Sequence, residues 1–407
     1  MSGLLVTPRW KGNLSRASTH VSVTEDIGDP QEAPPKPSTD GALNLERLID
    51  CSEEVMSCQF NPSGTLLAVG LTRGTIQIYS LANGNCVHSL KDNQTAANQL
   101  PVTAIRFLPG RQDSQGDLLL ATYAGGQVKF WHISTQTCVR TLSEGRQTLT
   151  VAISPSGGQF LTAGSTDDIN VYDTDTATCV SVCQPRSLCP LCSYCLIPLP
   201  SPCPFNCPHA ACQSPPHTPA VPLSLPSSSH KLMDGHRSRI FGLAFHPTNE
   251  ESFISGGWDN TVQFWNTGEK HSLGKISGPH VCGDSLDIDP QTNQILIGSW
   301  RKEENLQVWD YNARQKIQTV PNDFRGPSRI YSSRWLGAGH MIAAGSDINM
   351  CRVIDRSTLM TRGCLVDLPG GVYSLDVSCS AAQSTPLIAV TSSQSVFLLR
   401  PTEGLLP

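Results

Sequence analysis

The chain repeats one pattern, and that repetition restricts its fold more than any other feature. From Met233 to Asn266 it reads MDGHRSRIFGLAFHPTNEESFISGGWDNTVQFWN. Two short apolar runs, Ile240 to Phe245 and Ser252 to Ser255, precede a Gly-Gly-Trp-Asp-Asn turn and an alternating run from Thr261 to Trp265. Such runs, punctuated by Gly, Asn and Asp, predict three successive strands joined by tight turns. The same triplet stands three times before it: VMSCQF, TLLAVG, TIQIYS; VTAIRF, LLLATY, QVKFWH; and LTVAIS, QFLTAG, INVYD. It stands three times after it: SLDID, QILIGSW, LQVWD; IYSSRW, MIAAGSD, MCRVID; and VYSLDV, PLIAVTS, SVFLLR. Third strands end near Tyr79, Trp131, Tyr172, Trp265, Trp309, Ile354 and Leu398, mostly 41 to 52 residues apart. A period of this size means supersecondary units that each bury an apolar face on the next. One repeated body is therefore expected where 407 residues could have been two or three unrelated domains. One interval, Tyr172 to Trp265, is 93 residues, long enough for an eighth unit. Twelve prolines between Pro185 and Pro226 exclude it, because proline cannot donate to a sheet ladder.

The stretch 233–266 resembles one WD40 repeat, the unit of a β-propeller. Gly235-His236 stands before the first strand, and Trp265-Asn266 closes the third where Trp-Asp is usual; Trp309-Asp310 is the one Trp-Asp at a repeat end. The resemblance implies a buried network in which Asp259 accepts from the imidazole of His236, the imidazole holds the Ser255 hydroxyl, and that hydroxyl receives the indole N–H of Trp265. It further implies an all-β, seven-bladed WD40-like β-propeller. The chain ends soon after the third strand of the seventh repeat, so the strand-like LNLERLI from Leu43 is expected to complete the last blade and close the ring. Ser, His and Asp within the network also invite a nucleophilic triad. Ser255 ends an apolar strand with no G-x-S-x-G elbow around it, so the structural role is preferred.

The formal net charge of −5 disfavours nucleic acid and anionic membranes as direct partners. No apolar run of about 18 residues and no signal-like segment is seen, and neither an N-terminal glycine nor a CaaX box offers a lipidation site. These features predict an intracellular protein, cytoplasmic or nuclear and not secreted, whose sixteen cysteines are thiols.

Residues 1–42, which include DPQEAPPKPSTDG, are expected to be a disordered arm. The propeller is expected over 43–402, followed by a tail over 403–407, with a disordered Cys/Pro/Ser-rich insert over 183–231 between blades three and four. CPLC and CPFNCPHAAC in that insert supply an alternative, a zinc-binding module using Cys189, Cys192, Cys207, and His209 or Cys212. The spacing matches no known finger and few residues remain to build one, so no metal and no cofactor is expected.

No phosphate loop, H-E-x-x-H or nucleophile elbow occurs, so the chain is not expected to be an enzyme. Asp287, Asp289 and Asp376 fall in first strands or their exits, where turn or capping roles are expected. A propeller instead presents loop faces to other proteins, and no small-molecule substrate is expected. The turn after the second strand reads Thr72, Ala124, Thr166, Trp258, Trp300, Asp347 and Ser392. Trp258 and Trp300, from adjacent blades, with Arg301, Lys302 and Arg239, form the candidate partner-binding patch, since Trp and Arg are enriched at binding hot spots. The competing reading is that each indole covers its own blade. The Trp-Asp-x-Arg motif of some ubiquitin-ligase receptors fails here, because Tyr311 and Asn312 follow Trp309-Asp310. The least favoured alternative, a propeller hydrolase, predicts convergent ionisable side chains in the axial channel. A scaffold predicts small and apolar ones.

Overall fold

The computed structural model describes residues 36–109, 118–185, 234–378 and 385–402. Seven antiparallel sheets follow one another along the chain. Blade four has strands Ile240–Phe245, Ser252–Gly257, Thr261–Asn266 and Gly274–Ser277 in spatial as well as sequence order. Blades one, two, three and five repeat that order. Each first strand touches the first strand of the next blade, and that of blade seven, Leu375–Val377, touches that of blade one, Val55–Phe60, so the ring is closed.

Closure is made as the sequence predicted. The strand Leu43–Asp50 pairs antiparallel with Ser395–Pro401 and becomes the outer strand of blade seven. The core lies between blades because each sheet has two apolar faces. Trp265, Phe253, Ile240 and Leu243 of blade four, for example, pack with Leu161 and Val171 of blade three.

Two boundaries differ from the sequence reading. The expected disordered arm, 1–42, ends in a strand: Ser38–Gly41 pairs with Thr361–Val366 and gives blade six a fifth, outermost strand. STDG carries no apolar alternation because this strand lies on the solvent side of the sheet. Gly41, at φ +71°, turns the chain from blade six into blade seven, and a Cβ there would lie 2.4 Å from the Arg362 carbonyl oxygen. The insert, expected from residue 183, starts later. Cys183 closes the outer strand Cys179–Cys183 of blade three and is fully buried. The rest of the arm (1–35), the insert from residue 186 with its five candidate zinc ligands Cys189, Cys192, Cys207, His209 and Cys212, and the tail 403–407 lie outside the described residues.

Candidate interaction face

Blade four carries the hydrogen-bond network at its heart. His236, fully buried, places Nδ1 2.9 Å from Asp259 Oδ2 and Nε2 2.6 Å from Ser255 Oγ. Trp265 Nε1 donates to the same Oγ at 2.7 Å. Asp259 also accepts from the Thr261 amide and hydroxyl and the Arg237 amide. Burial opposes ionisation of this carboxyl, but His236 and these donors outweigh it and hold its pKa below the ordinary carboxylate range. Ser255 is fully buried, so its hydroxyl is sealed from any substrate. Blade three fills the equivalent space differently, with Glu144 accepting from Thr148, Thr162, Asn170 and Tyr172.

The network fixes the turn that carries Trp258. Gly256 and Gly257 precede it, and a Cβ on them would lie 2.6 Å from Val281 Cγ2 and 2.4 Å from the Arg239 carbonyl oxygen. The glycines let blade five and the start of blade four's first strand press against the strand end. Asn260 takes the left-handed conformation at φ +60°, which Asn tolerates in turns. Trp258 is 39% exposed and donates from Nε1 to Cys282 Sγ at 3.1 Å. Its ring stacks on Phe241 (centroids 5.2 Å) and His280 (6.1 Å), with the Arg239 guanidinium 5.4 Å from the centroid.

His280 joins the two tryptophan turns. Its Nδ1 and the Arg301 Nη2 both lie 2.9 Å from Asn260 Oδ1, and its carbonyl accepts from the Trp300 amide. Burial and the Arg301 charge push its pKa below the ordinary histidine value, which favours the neutral ring. Trp300, half-buried, continues the series to Tyr331, and Tyr331 to Tyr373. The Arg329 guanidinium covers Trp300 at 4.2 Å. Phe241, Trp258, His280, Trp300, Tyr331 and Tyr373 thus form one aromatic arc across blades four to seven. Arg301 and Lys302 are exposed beside it, and Arg239 is half-buried.

Sequence reasoning named Trp258 and Trp300 but missed the four residues that join them. Phe241 and Tyr331 occupy the same bulge position in the register of their first strands, and Tyr373 stands two residues before the paired Leu375, so aligning those segments by register would have found them. Three turn assignments slip by one residue. Strand pairing makes Ser165, Ser346 and Ser393 the equivalents of Trp258, where Thr166, Asp347 and Ser392 were expected.

The axial channel departs from what was expected of a scaffold. The register-equivalent position near the end of each first strand reads Gln59, Arg106, Ala152, Ala244, Asp287, Arg334 and Asp376. Arg106 of blade two reaches Asp284 of blade five at 2.6 Å, which can happen only across the centre, and Arg334 of blade six bonds the same carboxylate. Burial would raise the Asp284 pKa, but the two guanidiniums overcome it and bring it down to about 2. Asp287 was expected to cap a turn. It instead accepts the Trp335 amide of blade six at 2.8 Å, and burial, only partly offset by Arg334, raises it to about 6. Asp376, expected in the same role, accepts the Phe60 amide of blade one at 2.8 Å and is also raised by burial. Gln59 does the same for Phe107 of blade two. These side chains are clamps between neighbouring blades. Asp289 does sit in a turn, accepting from Thr292 and the Gln291 amide, and it pairs with Arg356 at 2.7 Å.

Two family models match separate parts of the chain: the nucleolar protein 10-like N-terminal domain over residues 21–173, and the WD domain G-beta repeat over 227–266. Among curated proteins, the transcriptional corepressor LEUNIG_HOMOLOG of Arabidopsis thaliana is 23% identical over 63% of this chain and 30% of its own length. The nuclear distribution protein nudF of Emericella nidulans is 24% identical over 62% of this chain and 67% of its own length. The human F-box-like/WD repeat-containing protein TBL1X is 27% identical over 31% of this chain, and the matched region is 23% of that protein. The chain therefore spans less than a third of the first and third of these relatives. A domain match and a single-repeat match in two separate stretches agree with seven blades, six four-stranded and one five-stranded, closed by the N-terminal strand, and the chain belongs to the WD40-repeat β-propeller family.

Proposed function

We propose that this protein is a non-catalytic platform that binds other proteins through the face bearing the aromatic arc and so helps assemble a multiprotein complex. The observation that carries the reading is the arc itself, a packed aromatic series whose exposed part is Trp258 on blade four, with half-buried Trp300 on blade five and arginines along both. Rigid, pre-packed aromatics flanked by Arg have the composition of interface hot spots. The axial channel carries the convergent charges that a hydrolase predicts, but they are already engaged between blades. Asp287 and Asp376 each hold a backbone amide of the next blade, and Asp284 is shared by two arginines. A hydrolase would have to break a seam of the ring to free one of these groups as acid or base. Action inside the cell, including the nucleus, is proposed on the match to a nucleolar protein's N-terminal domain. No helix among the described residues is long and apolar enough to cross a membrane.

The test is retention of cellular partners by the whole chain and by its Trp258→Ala/Trp300→Ala variant, with melting temperature measured on both. Each indole also packs on its own blade, so the variant is expected to lose about 1–3 kcal/mol of stability and stay folded. Binding is expected to weaken by about 2–4 kcal/mol per anchor. A folded variant that retains every partner would place the interface elsewhere.

A further inference from the structure

We infer that the part of this face built by blades four and five receives an acidic, extended segment of a partner protein; the inference rests on the proposed function and specifies its ligand. Four cations lie in two neighbouring segments: Arg237 and Arg239 just before the first strand of blade four, and Arg301 and Lys302 in the turn of blade five. Most carboxylates nearby are already committed. Asp259 is held by His236 and Thr261, Glu304 pairs with Lys316 at 2.6 Å, and Asp347 pairs with Arg329 at 2.9 Å. Asp234, half-buried, and Glu303, exposed, are the other carboxylates of these segments. The four cations outnumber Asp234, Asp259 and Glu303, which leaves a locally positive sector on a chain whose formal charge is −5. Such a sector attracts the opposite sign and suppresses other partners.

Basic residues beside aromatics would also suit single-stranded nucleic acid, where bases stack on open ring faces. Here the faces are occupied. Trp258 is stacked by Phe241 and His280 with Arg239 over it, and Arg329 covers Trp300 at 4.2 Å. What Trp258 leaves open accommodates an apolar side chain between carboxylates. Arg301 is pre-set for those carboxylates, since its Nη2 is tethered to Asn260 while the residue itself is exposed. The bound segment would cross from the Arg239 side of Trp258 to Lys302, with carboxylates at each end and an apolar residue over the exposed indole.

The experiment uses the full chain and fluorescein-labelled peptides of equal length. One alternates Glu and Asp with Leu, a second replaces the acids by Gln and Asn, and an oligouridine serves as the nucleic-acid probe. Binding is read by anisotropy at low and physiological salt. The acidic peptide is expected to bind, to weaken with salt, and to bind the Arg239→Ala/Arg301→Ala/Lys302→Ala variant at least about tenfold more weakly, with melting temperature unchanged. The inference is overturned if the amide peptide binds as well, if the triple variant binds normally, if no peptide binds, or if oligouridine is the preferred ligand. If Trp258→Ala/Trp300→Ala loses its cellular partners while no acidic peptide binds, the acidic specificity fails and the face stands. If that variant keeps them all, the face itself fails.

Discussion

Asp287→Asn should make the protein more stable at neutral pH, and only there. Burial lifts the Asp287 carboxyl from 3.8 to about 6 in the folded ring, so folding favours its neutral form. Roughly two units at 1.36 kcal/mol each set a ceiling of about 3 kcal/mol, and partial access to solvent reduces this to about 1–3. The sign follows from proton uptake. Between about pH 4 and pH 6 the folded state holds a proton that the unfolded chain has lost, so stability falls as pH rises through that window and levels off above it. Asn keeps an oxygen for the Trp335 amide and has nothing to ionise. Urea midpoints of both proteins near pH 4 and pH 7 give the difference between the two gaps, which isolates the charge from any packing effect of the substitution. The variant should gain at pH 7 relative to its gap at pH 4. Asp284, Asp287, Asp376, Arg106 and Arg334 interact, so the measured window belongs to the cluster as a whole. A gap independent of pH would show that the carboxyl is not perturbed. A gap that moved against the variant at pH 7 would show that Arg334 stabilises the ionised form more than burial opposes it.

His236→Ala or Asp259→Ala should lower stability by about 1–3 kcal/mol, because each strands buried polar partners, and unchanged urea midpoints would contradict the burial of the network. Excising residues 187–232 with a short Gly-Ser joint should move the melting temperature by no more than a few degrees, checked by calorimetry. The described residues that flank the segment lie close together, since a Cβ on Gly235 would lie 2.7 Å from Pro185 Cα.

The strands were legible because each blade writes its own pattern locally: apolar runs fix the two buried inner strands, and Gly-Gly-Trp-Asp-Asn or Arg-Gly fixes the turn between them. Closure was legible for a related reason, since the seventh repeat lacks an outer strand and LNLERLI has no other use. Outer strands were harder. Ser38–Gly41 is almost wholly solvent-facing, so neither hydrophobic alternation nor length marks it, and only its pairing with Thr361–Val366 reveals it. Cys183 was misassigned for the converse reason, a buried outer-strand residue adjoining a run of similar cysteines and prolines.

The contacts that give the molecule its chemistry were illegible because ring closure creates them. Arg106 and Asp284 are 178 positions apart and meet only because blades two and five face each other across the axis. Trp258 and Trp300 were visible as matching turn residues, but whether they meet depended on His280, whose carbonyl accepts from Trp300 as that of Arg239 accepts from Trp258 while the side chain at this position differs from blade to blade. A position whose backbone role repeats while its side chain does not is where periodicity stops predicting, and in this protein such a position links two separate indoles. Asn260 adds to the point. It is a turn residue by any local criterion, yet its side chain ties His280 to Arg301 and so orders both the aromatic and the cationic parts of the face. The sequence thus encodes the blades through repetition and the face through departures from it.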